Sequence, residues 1–148
     1  MITIEELTYT DRNIHKAICV LMQQLTGRDC SLGTNDLEKI ISTRNTTLYV
    51  AVDDEQNNKI VGMLSLVFLR KLSGFTVRVE DVVVLNDERK RGIGKQLMLH
   101  AIEAAKVKGA KNMDLTSRPS RSAANKMYQS LGFKQHETNV YRLTIENE

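Results

Sequence analysis

Three apolar runs rich in β-branched residues follow one another through the middle of the chain, with no helical pattern between them. They occupy residues 47–54, 59–70 and 75–85. Valine, isoleucine and threonine favour extended backbone because their branched Cβ atoms restrict χ1 in a helix. Polar residues separate the first two runs and a short connection containing glycine separates the last two, so the pattern predicts three consecutive strands joined by tight turns.

Helical periodicity precedes these strands. From Asp11, a suitable N-cap, apolar side chains recur every three or four residues as far as Leu25, which predicts a helix with one apolar face. The segment 26–33 interrupts the pattern. A second, short helix is predicted from a cap at Thr34 or Asn35 through Arg44.

Helical periodicity returns after the third strand, over residues 92–108, where Gly109 can end the helix in the left-handed conformation. A short helix is also predicted between Pro119 and Gly132. Further strands are predicted at the following positions: 2–7, 111–117, 133–139 and 140–145. Strands in succession followed by a βαβ crossover predict one α/β domain, residues 1–148, with a mixed central sheet of about seven strands and helices on both faces.

The composition excludes several protein classes. With 41% hydrophobic and 26% charged residues in 148, the chain can bury a core and is not of the disordered type. The N-terminal segment carries acidic residues instead of the apolar core of a signal peptide. The most apolar window, residues 60–69, is about half of the ~20 residues that a membrane span needs. A cytoplasmic protein without a membrane partner is expected.

The sequence gives little indication of a metal site, a catalytic triad with a nucleophile and a histidine, or a nucleic-acid-binding surface. Cys19 and Cys30 have no spacing typical of a metal site, and Cys19 fits a helix as a small buried apolar residue, so no metal is expected. None of the three histidines has a convincing nucleophile partner. The net charge is only +3 and aromatic residues make up 5%, so few side chains are available to contact nucleic-acid phosphates or to stack on bases. No nucleic-acid partner is expected.

The most informative junction is the segment 89–97, RKRGIGKQL, where the third strand passes into a helix. Gly92 and Gly94 permit positive φ and a close approach of the backbone to a ligand. The first N–H groups of the helix point outward with the positive end of its dipole, and four cations surround them. A solvated turn with incidental charge is the alternative, but the combination favours a phosphate-binding loop.

Neither common nucleotide motif fits this loop. The P-loop pattern requires glycine where Arg89 stands, and the dinucleotide-binding fingerprint requires glycine or alanine where Leu97 stands. Asp114 lies at a spacing suited to a ribose contact. The three strands before the loop nevertheless do not form the βαβ unit that dinucleotide binding requires.

Two motifs resemble those of the GNAT superfamily of acetyl-CoA-dependent N-acetyltransferases. The first is Arg89-x-x-Gly92-x-Gly94 after VEDVVVLNDE, which resembles the pyrophosphate motif of that superfamily. The second is SRPSRSAANKMYQSLGF, with Asn125, Tyr128 and a following Leu-Gly-Phe. The order of predicted elements also matches over nearly the whole chain. The resemblance implies an enzyme that moves an acetyl group from acetyl-CoA directly to a primary amine.

The resemblance also implies how acetyl-CoA is held. In this superfamily a bulge splays the strand that carries the valine triplet away from the strand at 111–117, and exposed backbone N–H groups bind the pantetheine arm and the oxyanion. Fixed donors stabilise developing charge without reorganising. The residues expected to bind the coenzyme are Val82, Val83, Val84, Arg89, Lys90, Arg91, Gly92, Ile93, Gly94, Lys95 and Asn125.

Two residues are expected to be catalytic by the same resemblance. Glu80 accepts the proton of the amine, directly or through water, unless it only forms a salt bridge with Arg78 or Lys71. Tyr128 protonates the departing thiolate, unless it only packs on the apolar stripe of its helix. Asp81 is a candidate for contact with the substrate.

The acceptor is not specified by the sequence. Segment 26–33 corresponds to the variable acceptor region of the superfamily, and Arg28 there is a candidate for binding an anionic acceptor. A small amine, an amino sugar, a polyamine and a protein amine all stay open, as does the oligomeric state, for which the resemblance implies a homodimer as one option. The alternative function is a catalytically inactive sensor that binds acyl-CoA.

Overall fold

The computed structural model describes residues 1–146, and these form two compact units, residues 1–115 and residues from 116 onward. The first unit contains one five-stranded sheet and three helices, and the second contains one helix. The strands are β1 (Ile2–Glu6), β2 (Thr46–Asp53), β3 (Lys59–Lys71), β4 (Gly74–Val84) and β5 (Asn112–Asp114). The helices are α1 (Arg12–Thr26), α2 (Thr34–Ser42), α3 (Ile93–Lys108) and α4 (Ser122–Ser130).

The sheet is mixed and follows the chain order β1-β2-β3-β4-β5. The first four strands pair antiparallel with their neighbours, and β5 pairs parallel to β4 after the crossover through α3. The α/β class, the mixed sheet and the three consecutive strands are therefore confirmed. Strand β5 is only three residues long, and this short pairing shapes the site described below.

Helices of the first unit cover both faces of the sheet. Leu21 of α1 and Leu37 of α2 share one buried cluster with Val50 of β2. Because side chains alternate along a strand, the neighbouring Tyr49 points to the other face, where its ring lies 4.8 Å from that of His100 in α3. The prediction of helices on both faces is confirmed for this unit.

The helix ends follow local chemistry, with one correction. The Asp11 carboxylate accepts a 2.8 Å hydrogen bond from the N–H of Ile14, as predicted, and α3 ends at Gly109 with φ of 83°. Helix α2, however, has Gly33 as its N-cap and ends at Ser42, where the sequence predicted a Thr34 or Asn35 cap and an end at Arg44. Gly33 has no capping side chain, and its own N–H donates to the Asp36 carboxylate at 2.9 Å.

The prediction of about seven strands is wrong for the residues that the structure describes, since the sheet has five. Residues 133–146 form neither helix nor strand, and β5 is much shorter than the predicted run of 111–117. Val140, Tyr141, Leu143 and Ile145 are all largely exposed. Strand propensity describes fit to a neighbouring strand, and here no strand pairs with these residues.

Candidate active site

A β-bulge in β4 is the first structural feature of the site. Glu80 pairs with Ser65 of β3 and Val83 pairs with Met63, so Asp81 and Val82 together lie opposite one residue. Asp81 has φ of 53°, in the left-handed region that non-glycine residues seldom adopt. An extra residue of this kind bends a strand and increases its twist. The bulge therefore redirects the last part of β4, where the valine triplet lies.

Strands β4 and β5 separate at the same level of the sheet. Their parallel pairing begins at Thr76 and ends at Arg78, which is paired with Asp114. No strand of the described chain pairs with that edge of β4 beyond Arg78. Of the triplet, Val83 is 4% exposed while Val82 and Val84 are half-buried. The core thus takes the middle side chain, and the backbone of the triplet borders an unpaired edge.

The start of α3 lies a few residues beyond this edge. Gly92 is the N-cap residue with φ of 74°, and it has no side chain to accept hydrogen bonds from the first turn. The N–H groups of that turn lie at the positive end of the helix dipole. Ile93 is buried and fixes the helix on the sheet, whereas Gly92 is exposed. This arrangement fits an anion whose oxygen atoms need backbone donors.

The four cations of the loop divide into two groups. Arg89, Lys90 and Lys95 are exposed beside the start of α3, where they are free to meet either solvent or an anion. Arg91 instead forms ion pairs with the buried carboxylates of Asp53, at 2.9 Å, and Glu88. The guanidinium of Arg91 thereby connects the end of β2 with the loop that precedes α3.

Hydrogen bonds hold these two carboxylates in the charged form. Gln56 donates to both, at 2.7 Å to Asp53 and 2.9 Å to Glu88. Hydrogen bonds from Gln56 and then from Arg91 lower the pKa of Asp53 to about 2, although burial opposes the shift. The same two partners, in the same order, lower the pKa of Glu88, and the pKa of Arg91 is raised chiefly by its hydrogen bond with Asp53.

The candidate base and its neighbour lie at the bulge. The Glu80 carboxylate accepts a 3.0 Å hydrogen bond from Nε of Arg78, and its side chain is 42% exposed. Asp81 is solvent-accessible, yet partial burial and then the charge of Glu80 raise the pKa of its carboxyl group, while a hydrogen bond with Ser65 opposes the shift. The structure therefore gives two nearby carboxylates, of which Asp81 holds its proton more strongly than an ordinary aspartate.

The remaining candidates lie in other segments. Arg28 is exposed in the loop after α1. In the second unit, Nδ2 of Asn125 donates to the carbonyl oxygen of Arg118 at 3.1 Å, one turn before Tyr128 in α4. Tyr128 is 9% exposed and its ring lies 6.0 Å from that of Phe133. Burial raises the pKa of the Tyr128 phenol, against the charge of Arg121, so the phenol is protonated at neutral pH.

The sequence did not indicate the role of Gly62. A Cβ atom at this position in β3 would lie 3.2 Å from the carbonyl oxygen of Val83 and 3.3 Å from side-chain atoms of Ile93 and Leu97. Contacts this short are tighter than ordinary van der Waals contact. Gly62 therefore lets the first turns of α3 lie close against the sheet beside the valine triplet. An isolated glycine inside a strand pattern is a known sign of close backbone approach.

A thiol and an imidazole also lie together without having been predicted. His15 and Cys19 are one turn apart in α1, with 3.6 Å between Nε2 and Sγ. Burial, followed by the proximity of Cys30, raises the pKa of the Cys19 thiol to about 11. A thiol with such a pKa is protonated at neutral pH, so this pair does not form an activated nucleophile.

None of the helices within residues 1–146 is both long and apolar enough to cross a bilayer. Within the same residues, histidine, cysteine, aspartate and glutamate nowhere form a group of three or more that could hold a metal ion.

Comparison with known proteins gives matches to acetyltransferases. The profile of the acetyltransferase (GNAT) family matches residues 20–133. An aminoalkylphosphonate N-acetyltransferase from Salmonella typhimurium is 33% identical over 82 residues, 54% of this chain and 53% of the relative. Matches to the curated relatives cover 38–64% of their own lengths.

Solved structures match over almost the entire chain. An aminoglycoside acetyltransferase from an uncultured soil metagenomic sample has a TM-score of 0.84 at 21% identity, with 99% of this chain and 97% of that chain covered. The structure of AAC(6')-Iy in complex with the bisubstrate analogue CoA-S-monomethyl-acetylneamine has a TM-score of 0.79 at 21% identity, covering 98% and 99% of the two chains. At these identities the likeness concerns the fold.

Proposed function

Because the chain belongs to the acetyltransferase (GNAT) family, we propose that it transfers an acetyl group from acetyl-CoA directly to a primary amine. The observation that carries the proposal is the combination of two features on one strand. The bulge at Asp81 and the end of β4–β5 pairing at Arg78 leave an unpaired edge of β4. The start of α3 follows this edge in the chain after a short loop. A fold neighbour with a CoA bisubstrate analogue supports the choice of donor.

The donor is held along this edge in the proposal. Backbone N–H groups at Gly92, Ile93 and Gly94 receive the pyrophosphate, and Arg89, Lys90 and Lys95 neutralise its charge. Arg91 contributes by fixing the loop through Asp53 and Glu88. Those backbone groups of the triplet Val82, Val83 and Val84 that face the unpaired edge bind the pantetheine arm and stabilise the oxyanion, and Asn125 contacts the same arm.

Proton transfer uses the carboxylate at the bulge and the phenol of α4. Glu80 accepts the proton of the amine, directly or through water, and Asp81 contacts the acceptor. Tyr128 donates its proton to the thiolate as charge develops on sulfur. The support for Tyr128 is its burial and the protonated state that burial favours. Arg28, in the exposed loop after α1, binds the acceptor if the acceptor is anionic.

The direct test is to incubate the protein with acetyl-CoA and a library of primary amines and to measure turnover as the release of free thiol. Aminoalkylphosphonates and aminoglycosides belong in the library because relatives carry those names. Release with at least one amine supports the proposal. Binding of acetyl-CoA without turnover on any amine would favour an acyl-CoA sensor instead.

The donor site is tested with Gly94→Val, which places a branched side chain on the first turn of α3. Affinity for acetyl-CoA, measured by calorimetric titration, should fall strongly while the circular dichroism spectrum is kept. Leu99→Val is the matched control, since it introduces a valine at an exposed position of the same helix. Unchanged affinity in the folded Gly94 variant would contradict the assignment of the pyrophosphate loop.

Tyr128→Phe separates acid catalysis from packing. The phenylalanine ring keeps the contact with Phe133, so a packing role predicts little change. An acid role predicts a loss of kcat on the order of a hundredfold, with a much smaller change in affinity for acetyl-CoA. The loss should shrink with acyl donors whose leaving thiols are more acidic. Equal kcat for the variant and the wild type would remove Tyr128 from the mechanism.

A further inference from the structure

The side chain of Gln24 makes two hydrogen bonds with the backbone where β4 ends. Its Nε2 donates to the carbonyl oxygen of Val84 at 2.7 Å, and its Oε1 accepts from the N–H of Asn86 at 2.9 Å. Gln24 lies in the last turns of α1 and is half-buried. A single side chain from a distant segment therefore satisfies a donor and an acceptor two residues apart.

These bonds lie on the edge of β4 that has no neighbouring strand. The N–H of Leu85 donates to the carbonyl oxygen of Val61 at 2.9 Å, on the β3 side. Backbone polar groups of successive residues in an extended segment point to opposite edges, so those of Val84 and Asn86 face away from β3. There the primary amide of Gln24 uses one N–H donor and its oxygen acceptor, and so replaces the missing strand over the length of one residue.

The contact lies immediately next to the proposed donor site. Val84 is the last residue of the triplet whose backbone borders the unpaired edge, and Asn86 begins the 3₁₀ turn Asn86–Glu88 that leads to Gly92. The far end of this turn is held by the ion pair of Glu88 with Arg91. The segment before α3 is thus held at both ends, and among the side chains of the described residues Gln24 makes the hydrogen bonds at its beginning.

We propose that Gln24 is a positioning residue for acetyl-CoA, which presets the backbone of residues 84–86 so that pantetheine and pyrophosphate bind without reordering of the loop. This inference rests on the proposed function. A loop that is already ordered loses less conformational entropy on binding, so the gain appears in affinity for the donor. The chemical step uses other groups, so kcat should depend little on Gln24.

The first experiment compares Gln24→Leu with Gln23→Leu. Gln23 is the adjacent residue of the same helix and is exposed, so its replacement is a matched control. For Gln24→Leu we expect the Kd and the KM for acetyl-CoA to rise about tenfold, because two hydrogen bonds of ordinary net strength are lost. We expect kcat to stay within about twofold of the wild type, and Gln23→Leu to match the wild type in all three quantities.

The second experiment uses Gln24→Glu, which keeps the shape of the side chain. An ionised carboxylate still accepts from Asn86 but cannot donate to the carbonyl oxygen of Val84. Protonation of the introduced carboxyl group restores that donor. The ratio of the Kd for acetyl-CoA in this variant to that in the wild type should therefore fall towards one between pH 7 and pH 4, where a glutamate with an ordinary pKa of about 4.3 becomes protonated. A ratio that stays constant over this range contradicts the positioning role.

The outcomes separate the inference from the proposed function. If the wild type does not bind acetyl-CoA, the proposed function is wrong and the role of Gln24 is wrong with it. If the wild type binds but Gln24→Leu binds equally well, only the role of Gln24 is wrong. A fall in kcat without a change in KM also contradicts it. Should Gln24→Leu fail to fold, the pH dependence of Gln24→Glu decides, and a constant ratio overturns the inference.

Discussion

Two aspartates of the first unit show opposite electrostatic behaviour. Asp53 ends β2, is 1% exposed and has a pKa lowered to about 2. Asp81 lies in the bulge of β4, is solvent-accessible and has a raised pKa. Burial alone would raise both values, since it disfavours the charged form. The difference comes from the partners: Gln56 and Arg91 donate to Asp53, whereas Asp81 faces the charge of Glu80.

The contrast distinguishes a carboxylate that holds the fold from carboxylates available for chemistry. Asp53 is permanently charged at neutral pH and its hydrogen bonds bind it to the loop before α3. At the bulge, two carboxylates repel each other and one binds its proton more strongly, an arrangement often found where proton transfer occurs. Substitutions at the first site should therefore lower stability, and we expect a loss of turnover only at the second.

The largest effect is expected from Arg91→Leu. This change removes the guanidinium that the buried carboxylates of Asp53 and Glu88 share, and removing one partner of such a network is strongly destabilising. A fall in melting temperature of roughly 5 °C or more is expected at pH 7. Arg89→Leu, which removes an exposed arginine from the same loop, is the matched control. Equal melting temperatures for the two variants would show that the Arg91 ion pairs contribute nothing to stability.

Glu80→Gln should affect turnover instead. The glutamine can still accept the hydrogen bond from Arg78, so the melting temperature should change little. Turnover at neutral pH should fall on the order of a hundredfold if Glu80 is the base that we propose. The deficit should shrink at alkaline pH, where more of the amine is already deprotonated. A pH–rate profile parallel to that of the wild type would remove Glu80 from the role of base.

A smaller effect, of opposite sign at the two sites, is expected when each aspartate becomes asparagine. The folded state lowers the pKa of Asp53, so its stabilisation is present above about pH 4 and is lost as the pH falls towards 2. Asp53→Asn should therefore reduce stability at pH 7, and the deficit should diminish in acid. Urea denaturation from pH 7 to pH 2.5 measures this difference.

For Asp81 the direction is reversed. A raised pKa in the folded state means that stability is greatest below the ordinary pKa of aspartate and is lost as the pH rises through the folded value. Asp81→Asn should therefore increase stability at pH 7 more than at pH 3. Asparagine tolerates positive φ as aspartate does, so the backbone conformation should not oppose the substitution. A stabilisation equal at both pH values would contradict the charge effect.

The smallest effect is expected at Lys90, which is also in the left-handed region, with φ of 66°. Glycine adopts this conformation without steric cost, but it also increases the entropy of the unfolded chain. Lys90→Gly should therefore stabilise the protein by only about 0.5 kcal/mol. Chemical denaturation without ligand measures the change, and destabilisation would indicate that the lysine side chain makes a contact worth more than the strain.

Local signals predicted most of the first unit. Asp11 begins α1 because a carboxylate can accept from the first turn, and Gly109 ends α3 because the terminating conformation is left-handed. The three consecutive strands and the glycine-containing segment before α3 were also predicted from local sequence. The cap of α2 was missed because Gly33 acts through its own N–H and the Asp36 carboxylate, a pattern without a capping side chain.

Long-range contacts explain what could not be predicted. Arg91 belongs to a run of three cations, and nothing in that run distinguishes it from Arg89 until Asp53 is brought beside it from β2. Gln24 lies sixty residues before Val84 in sequence and looks like any polar residue of an amphipathic helix. The final two strands were predicted from local sequence, and no strand of the described residues pairs with them.

The sequence by itself determined the period of each segment, the order of the elements and the glycine at the start of α3, because these depend on the side-chain and backbone preferences of adjacent residues. Only the tertiary structure decided which charges are bound and which are exposed, and where β4 leaves its neighbour. Those outcomes depend on which groups from distant segments meet. The pKa of a carboxyl group, for example, is shifted by its burial and by its charged and hydrogen-bonded neighbours, which local sequence does not show.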